Sequence, residues 1–283
     1  MINGNQTKLP VFATVGAAFQ RFAADFLDYV LLAVPMFLFS LISSYREISR
    51  VADRMHGDLT AMHFDWLMIP IQIFSFALYI MLFANVVRRT LLGTNGPRNA
   101  LGLGWGWREF RILGRWLLVW LITIVLFVPY FVFSRSFLND SPLVGWLIIL
   151  LGVISLSTLV VFVFVFCRIT TYVTAPSVDA NLSLQAAFVS TRGNVLRIFS
   201  CFLLIILPFS VVLLVIRVIW GSKLLSVGEG VSLILPVLNA TGLLCVVLGM
   251  ILSALIYKHL VMVPVIAGDI GGGAIRVPET SRH

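Results

Sequence analysis

Charge is what this sequence has least of. Only 11% of its 283 residues are Asp, Glu, Lys or Arg, and 60% are hydrophobic, whereas a soluble globular domain is about a quarter charged. With a mean hydropathy of +1.03, the chain reads as an integral membrane protein. Acids are scarcer than bases, 12 against 20, for a formal charge of +8. In a soluble protein that excess would point to nucleic acid. The arginines gather at the ends of apolar runs, however, which points to topology and lipid headgroups, with no nucleic-acid partner.

Other scarcities exclude further classes. The three cysteines, Cys167, Cys201 and Cys245, lie in or at the ends of apolar segments, without CxxC or Cys/His spacing. That argues against a disulfide framework and a zinc site. Asp25, Asp28, Glu109, Asp179, Asp269 and Glu279 are scattered and mostly near arginines, and His259 stands alone. No acid pair or nucleophile with its base is assembled, so no catalytic, cofactor-binding or metal residue is expected and the chain does not read as an enzyme. No apolar run carries an ionisable residue near its middle, which argues against an ion-coupled carrier. Gly102, Gly104 and Gly106 do not form a phosphate loop, because Trp107 stands where a third glycine is needed and no Lys-Ser/Thr pair follows. The N-terminus, with only Lys8 before a proline-containing stretch, lacks the layout of a cleaved signal peptide.

What is present is a series of long apolar runs at 26–44, 66–87, 116–134, 144–167, 198–220 and 233–257, each near the ~20 residues that cross a bilayer as a helix. The expected fold is therefore all-α, a polytopic membrane bundle of six transmembrane helices in one domain, 1–283. An amphipathic helix at 14–28 precedes the first span, with Val15, Ala18, Phe19, Phe22, Ala23 and Phe26 on one face and Thr14 as its N-cap. Ser183 caps a second such helix, interrupted at Gly193 and Asn194, before the fifth span. The outer loop at 45–65 carries His56, Asp58, His63 and Asp65 as a seven-residue echo. It fits an ordinary solvated loop or, with a bend at Gly57, a surface metal site.

Direction comes from the cations. Between the second and third runs lie Arg88, Arg89, Arg98, Arg108, Arg111 and Arg115, with Trp105, Trp107 and Trp116 nearby and Glu109 the only acid. With both termini cytoplasmic, the inner side also holds Lys8, Arg21, Arg168, Arg192, Arg197, Lys258, Arg276 and Arg282, which makes 14 cations. The outer side has Arg46, Arg50, Arg54, Arg135, Arg217 and Lys223, which makes 6. Since segments rich in Lys and Arg stay on the cytoplasmic side, the termini are expected there, in a bacterial inner membrane.

The odd-numbered runs contain Pro35, Pro129 and Pro208, at 16, 19 and 20 residues after Phe19, Phe110 and Phe188. One reading is three tandem units, 14–97, 98–179 and 183–269, each an amphipathic segment plus a helical hairpin. The other is three helix pairs sharing only apolar composition. Each proline removes one intrahelical hydrogen bond, so kinked odd-numbered spans are expected, around a space whose contents the sequence does not specify.

The stretch of Ala175, Pro176, Asp179, Ser183, Ala187, Phe188, Ser190, Thr191, Arg192, Gly193, Asn194 and Arg197, preceded by Arg168, resembles a group of six-span bacterial inner-membrane proteins. These are the membrane domain fused to some glycerophosphodiester phosphodiesterases and the YciC family. The resemblance implies a bundle with an inner amphipathic helix before the fifth span. It carries over no catalysis, because the phosphodiesterase chemistry sits in a separate soluble domain.

Two functions fit. The first is a non-enzymatic, lipid-associated or scaffolding membrane protein contacting anionic headgroups or a protein partner, a second copy included, through Arg88, Arg89, Arg98, Trp105, Trp107, Arg108, Arg111 and Arg115. The alternative is a passive permease lined by Ser75, Thr123, Ser155, Ser157, Thr158 and Ser210.

Overall fold

The computed structural model describes residues 8–55, 66, 68–93, 104–137, 144–224 and 230–263, with backbone alone at 47–55, 68, 126, 128–137, 144–152, 154–155, 217, 219–224 and 230–235. Arg98, Arg276, Arg282, Asp269 and the His56, Asp58, His63 and Asp65 echo lie outside it, as do the side chains of Pro129, Ser155 and Arg217. The described residues are helical, with no strand. In order they form α1 (Val11–Ala24), α2 (Phe26–Met55), α3 (Met68–Leu92), α4 (Trp107–Phe137), α5 (Val144–Thr174), a 3-10 turn (Ala175–Val178), α6 (Leu184–Ser190), α7 (Val195–Leu224) and α8 (Gly230–Tyr257), which closes in a π turn, Lys258–Met262.

Five helices are long and apolar enough to cross a bilayer: Phe26–Arg46, Ile69–Leu92, Leu156–Val178, Val195–Ile216 and Pro236–Met262. The remaining expected span, 116–134, falls inside the 31-residue α4, whose side chains from 128 onward lie outside the description. Successive helices pack as hairpins, α2 on α3, α4 on α5 and α7 on α8. The place among them goes to α8, which also packs on α1, α2, α3 and α5.

Several expected boundaries need correction. Thr14 does not cap α1. The helix begins at Val11, the Pro10 carbonyl accepts the first bond from Thr14 N–H at 2.9 Å, and the Thr14 hydroxyl bonds the same carbonyl at 2.7 Å. Proline suits this position, since a helix start has no use for its missing N–H. The amphipathic segment 14–28 is two helices meeting at Asp25. The stretch 45–65 expected as a loop is helical over its first eleven residues, because α2 runs to Met55. At 1.5 Å per residue a 30-residue helix outruns the ~30 Å hydrocarbon core.

Arg168 does not open a loop either. It lies inside α5, which continues to Thr174 through the β-branched run Ile169, Thr170, Thr171, Val173 and Thr174. Low helix propensity there is offset by burial and by threonines bonding their own helix, Thr170 Oγ1 to Phe166 O at 3.0 Å and Thr174 Oγ1 to Thr170 O at 2.7 Å. Pro176 then ends the helix and the chain tightens into the 3-10 turn.

The second cap forms as expected. Ser183 Oγ accepts from Ala186 N–H at 3.1 Å, and α6 ends at Ser190 before a turn closed by Gly193 at φ 77°. Pro35 and Pro208 sit inside α2 and α7. On the far side, Asn239 Nδ2 of α8 donates to Ser44 Oγ of α2 at 3.3 Å, an interhelical bond of the kind that membrane helices use in place of hydrophobic association.

Candidate functional site

The basic end of the bundle is organised around one carboxylate. Asp179 closes the 3-10 turn in the left-handed region, at φ 59°, with its N–H donating to Pro176 O at 3.0 Å and the next N–H, Ala180, donating to Ala175 O at 3.1 Å. Ala175, Pro176 and Ser177 beneath it are buried. The turn thus presents the carboxylate from a fixed backbone.

Three arginines converge on it. Arg108 is bidentate, Nε to Oδ1 and Nη2 to Oδ2, both at 3.1 Å. Arg111 Nη2 reaches Oδ1 at 3.1 Å, and Arg88 Nη1 reaches Oδ2 at 3.1 Å while also donating to Ser177 O at 3.3 Å. Arg108 and Arg111 share a face of α4 because they are three residues apart; Arg88 comes from the last turns of α3. The fork geometry of guanidinium suits a carboxylate shared this way. Burial pushes the Asp179 carboxyl up, but the hydrogen bonds and charges of Arg108 and Arg88 outweigh it and hold the group below its ordinary value. With the charge of Glu109 also acting on Arg88, three cations face two anions and the cluster carries a net charge of +1.

Arg115 extends the same stripe. It donates to Tyr172 O through Nη1 and to Asn181 Oδ1 through Nη2 at 3.5 Å, and its guanidinium lies 4.2 Å from the centre of the Tyr172 ring. Burial lowers its pKa from the ordinary arginine value, partly opposed by Tyr172. The start of α4 is fixed by Glu109, which is buried and accepts from Gly106 N–H at 2.8 Å. This is one half of a capping box, with an acid where the helix dipole favours it. Trp105 packs edge-on against Phe110, while Trp107 is 77% exposed.

Further links join the other elements at this end of the bundle. Arg89 pairs with Asp28, Arg21 with Asp25 at 3.1 Å, and Arg21 Nη2 donates to Arg89 O at 3.3 Å, tying α1, α2 and α3 together. Tyr29 and Thr90 share a buried hydrogen bond of 2.9 Å beside them. The N-terminal segment is held by Asn194 Oδ1, which accepts from Leu9 N–H at 3.0 Å, and by Arg197 Nη1, which donates to Leu9 O at 3.2 Å. Arg168 has its guanidinium over the rings of Phe164 at 4.5 Å and Phe188 at 5.4 Å, with no carboxylate on it among the described residues. Arg192 is exposed.

The structure therefore joins two groups that the sequence kept apart, the 88–115 arginines and the 168–197 motif, at Asp179. The i, i+3 spacing of Arg108 and Arg111 was the available signal for a shared partner. The links of Asp28 to Arg89 and Asn194 to Leu9 had none, since they join residues 61 and 185 positions apart. Among the described residues no group of three His, Cys, Asp or Glu side chains is placed to hold a metal.

Below the cluster, α3, α4, α5, α7 and α8 enclose an apolar cavity of about 380 Å³, lined by Tyr79, Trp116, Cys167, Phe202, Gly249 and Ser253 among others. A smaller one of about 220 Å³ lies between α2 and α8. What this end of the molecule offers chemically is a surplus of fixed positive charge beside apolar surface. No family model, no curated protein and no solved structure matches the chain.

Proposed function

We propose that this is a six-span inner-membrane protein with both termini in the cytoplasm, whose arginine-rich end binds anionic lipid headgroups, and that its role is lipid-associated or scaffolding rather than enzymatic. The observation that supports this reading is the unbalanced cluster on Asp179, +1 with Glu109 counted and before Arg115 and Arg168 are added. Each near-surface cation contributes about 1 kcal/mol toward an anionic membrane face. Three tandem hairpin units, and a place beside the YciC-like six-span proteins, belong to the same proposal. The hairpin packing of α2–α3, α4–α5 and α7–α8 supports the first. A permease reading draws less support, because Thr123, one of its expected lining residues, donates its hydroxyl to Val119 O of its own helix.

The test separates charge from architecture. Purified protein is titrated with phosphatidylglycerol or phosphatidylcholine, and bound lipid is counted by native mass spectrometry. The expected preference for the anionic lipid is about tenfold. The triple variant Arg108→Gln, Arg111→Gln, Arg115→Gln is expected to lose it. Asp179→Asn, which removes the shared partner but raises the net charge, is expected to keep it. Equal affinity of the unmodified protein for the two lipids would refute the reading.

A further inference from the structure

The cavity beneath the arginine cluster has a size, an opening and a cationic neighbour that together identify an occupant. We propose that it receives one acyl chain of an anionic phospholipid, entering sideways between α5 and α7, with the headgroup at Arg115. This rests on the lipid-binding reading above and narrows it to a defined site.

Three observations carry it. First, about 380 Å³ is within the range of sites for single small ligands, and the walls are apolar and aromatic. Second, two of its wall residues on α7, Phe199 and Ile206, are 37% and 47% exposed, so the enclosure is incomplete on a side where neighbouring helix surface is apolar. A membrane-spanning bundle presents such surface to lipid tails. Third, the inner end of the cavity is reached at Trp116, Val173 and Ser253, directly beside Arg115, whose ring partner Tyr172 adjoins Val173. Two hydrogen bonds occupy Arg115, and a guanidinium has five donors, so several stay free for a phosphate.

Gly249 gives the test. It lines the cavity, and a Cβ built there meets nothing within 4 Å, so a larger side chain enters the cavity space rather than the backbone of a neighbour. The full-length protein is placed in nanodiscs containing phosphatidylglycerol with brominated acyl chains, and Trp116 quenching is taken as the difference from Trp116→Phe. Retained lipid is counted in parallel by native mass spectrometry. Gly249→Leu should reduce both the Trp116 quenching and the retention of one tightly held lipid by about tenfold, the weight of roughly two buried methylenes. Gly249→Ala should change neither. Circular dichroism and gel filtration should show both variants folded; if Gly249→Leu does not fold, Ser253→Leu on the same face replaces it. Unchanged quenching and stoichiometry in the folded Leu variant overturn the acyl-chain site. If the preference for phosphatidylglycerol over phosphatidylcholine persists while Trp116 is never quenched, the cavity proposal fails and the headgroup reading stands. If there is no such preference in the unmodified protein, both fail.

Discussion

Helices α7 and α8 are neighbours in the chain and pack on each other, yet they occupy opposite environments. The spanning window of α7, Val195–Ile216, has a mean hydropathy of 2.9 and is 17% buried, whereas that of α8, Pro236–Met262, has 2.3 and is 50% buried. The less apolar helix is the one inside. Lipid tails are as apolar as leucine, so hydropathy does not draw a helix to the centre of a membrane protein; close packing and interhelical polar contacts do. Accordingly α8 carries Gly242, Gly249, Ser253 and Ala254, with Asn239 bonded to α2, while α7 shows Leu203, Leu207, Val211 and Leu214 to its surroundings.

The largest effect that would sharpen this contrast comes from the same substitution made on both helices. Leu252 of α8 is fully buried, and Leu214 of α7 is 61% exposed. Leu252→Ala should cost about 2–3 kcal/mol and Leu214→Ala less than about 0.5, measured by denaturant unfolding in detergent micelles. Equal costs would remove the distinction between a packed centre and a lipid-facing rim.

A second contrast sets the basic end against the helix surfaces that face lipid. Asp179→Asn should destabilise the protein by about 1–2 kcal/mol. Its bonds to arginine would be worth more if dry, but at 37% exposure solvent screens them. Substituting an exposed apolar residue such as Val211 should leave stability within about 0.5 kcal/mol. The contribution of Asp179 also has a pH window. Because the folded state holds its carboxyl below the ordinary value, the stabilisation is complete above the unfolded pKa of about 4 and is lost as pH falls through the lower folded value. An acid unfolding profile should therefore steepen below about pH 4 in the unmodified protein and lose that component in Asp179→Asn. Asn194→Ala should cost about 1 kcal/mol through loss of the Leu9 anchor, less than Leu252→Ala and more than either exposed apolar substitution.

Much of the helical layout is legible along the sequence, since periodicity, caps and hydropathy are local properties. Ser183, Gly193 and Pro176 mark real boundaries because each acts on its own backbone. Thr14 misleads because a Thr before an apolar run suits a cap, whereas Pro10 four residues earlier already starts the helix. The extension of α2 to Met55 lies beyond hydropathy, which detects the hydrocarbon slab and not the end of a hydrogen-bonded ladder, while that of α5 to Thr174 is hidden by Arg168 and the β-branched run after it. The arginines of the site were visible, but their shared partner was not. Asp179 lies 91 residues from Arg88 and 68 from Arg111, and only helix packing brings them together. The inside place of α8 escaped a reading by hydropathy alone, although Gly242, Gly249, Ser253 and Ala254 were its signal in the sequence.

All of this assumes that the arginine-rich end faces the cytoplasm of a membrane-spanning bundle. A direct test replaces the three native cysteines with alanine, introduces Arg192→Cys at the exposed turn before α7, and treats intact cells with a membrane-impermeant thiol reagent. Labelling should appear only after the cells are permeabilised. Labelling of intact cells at that position would place the cluster on the outer face and contradict the account.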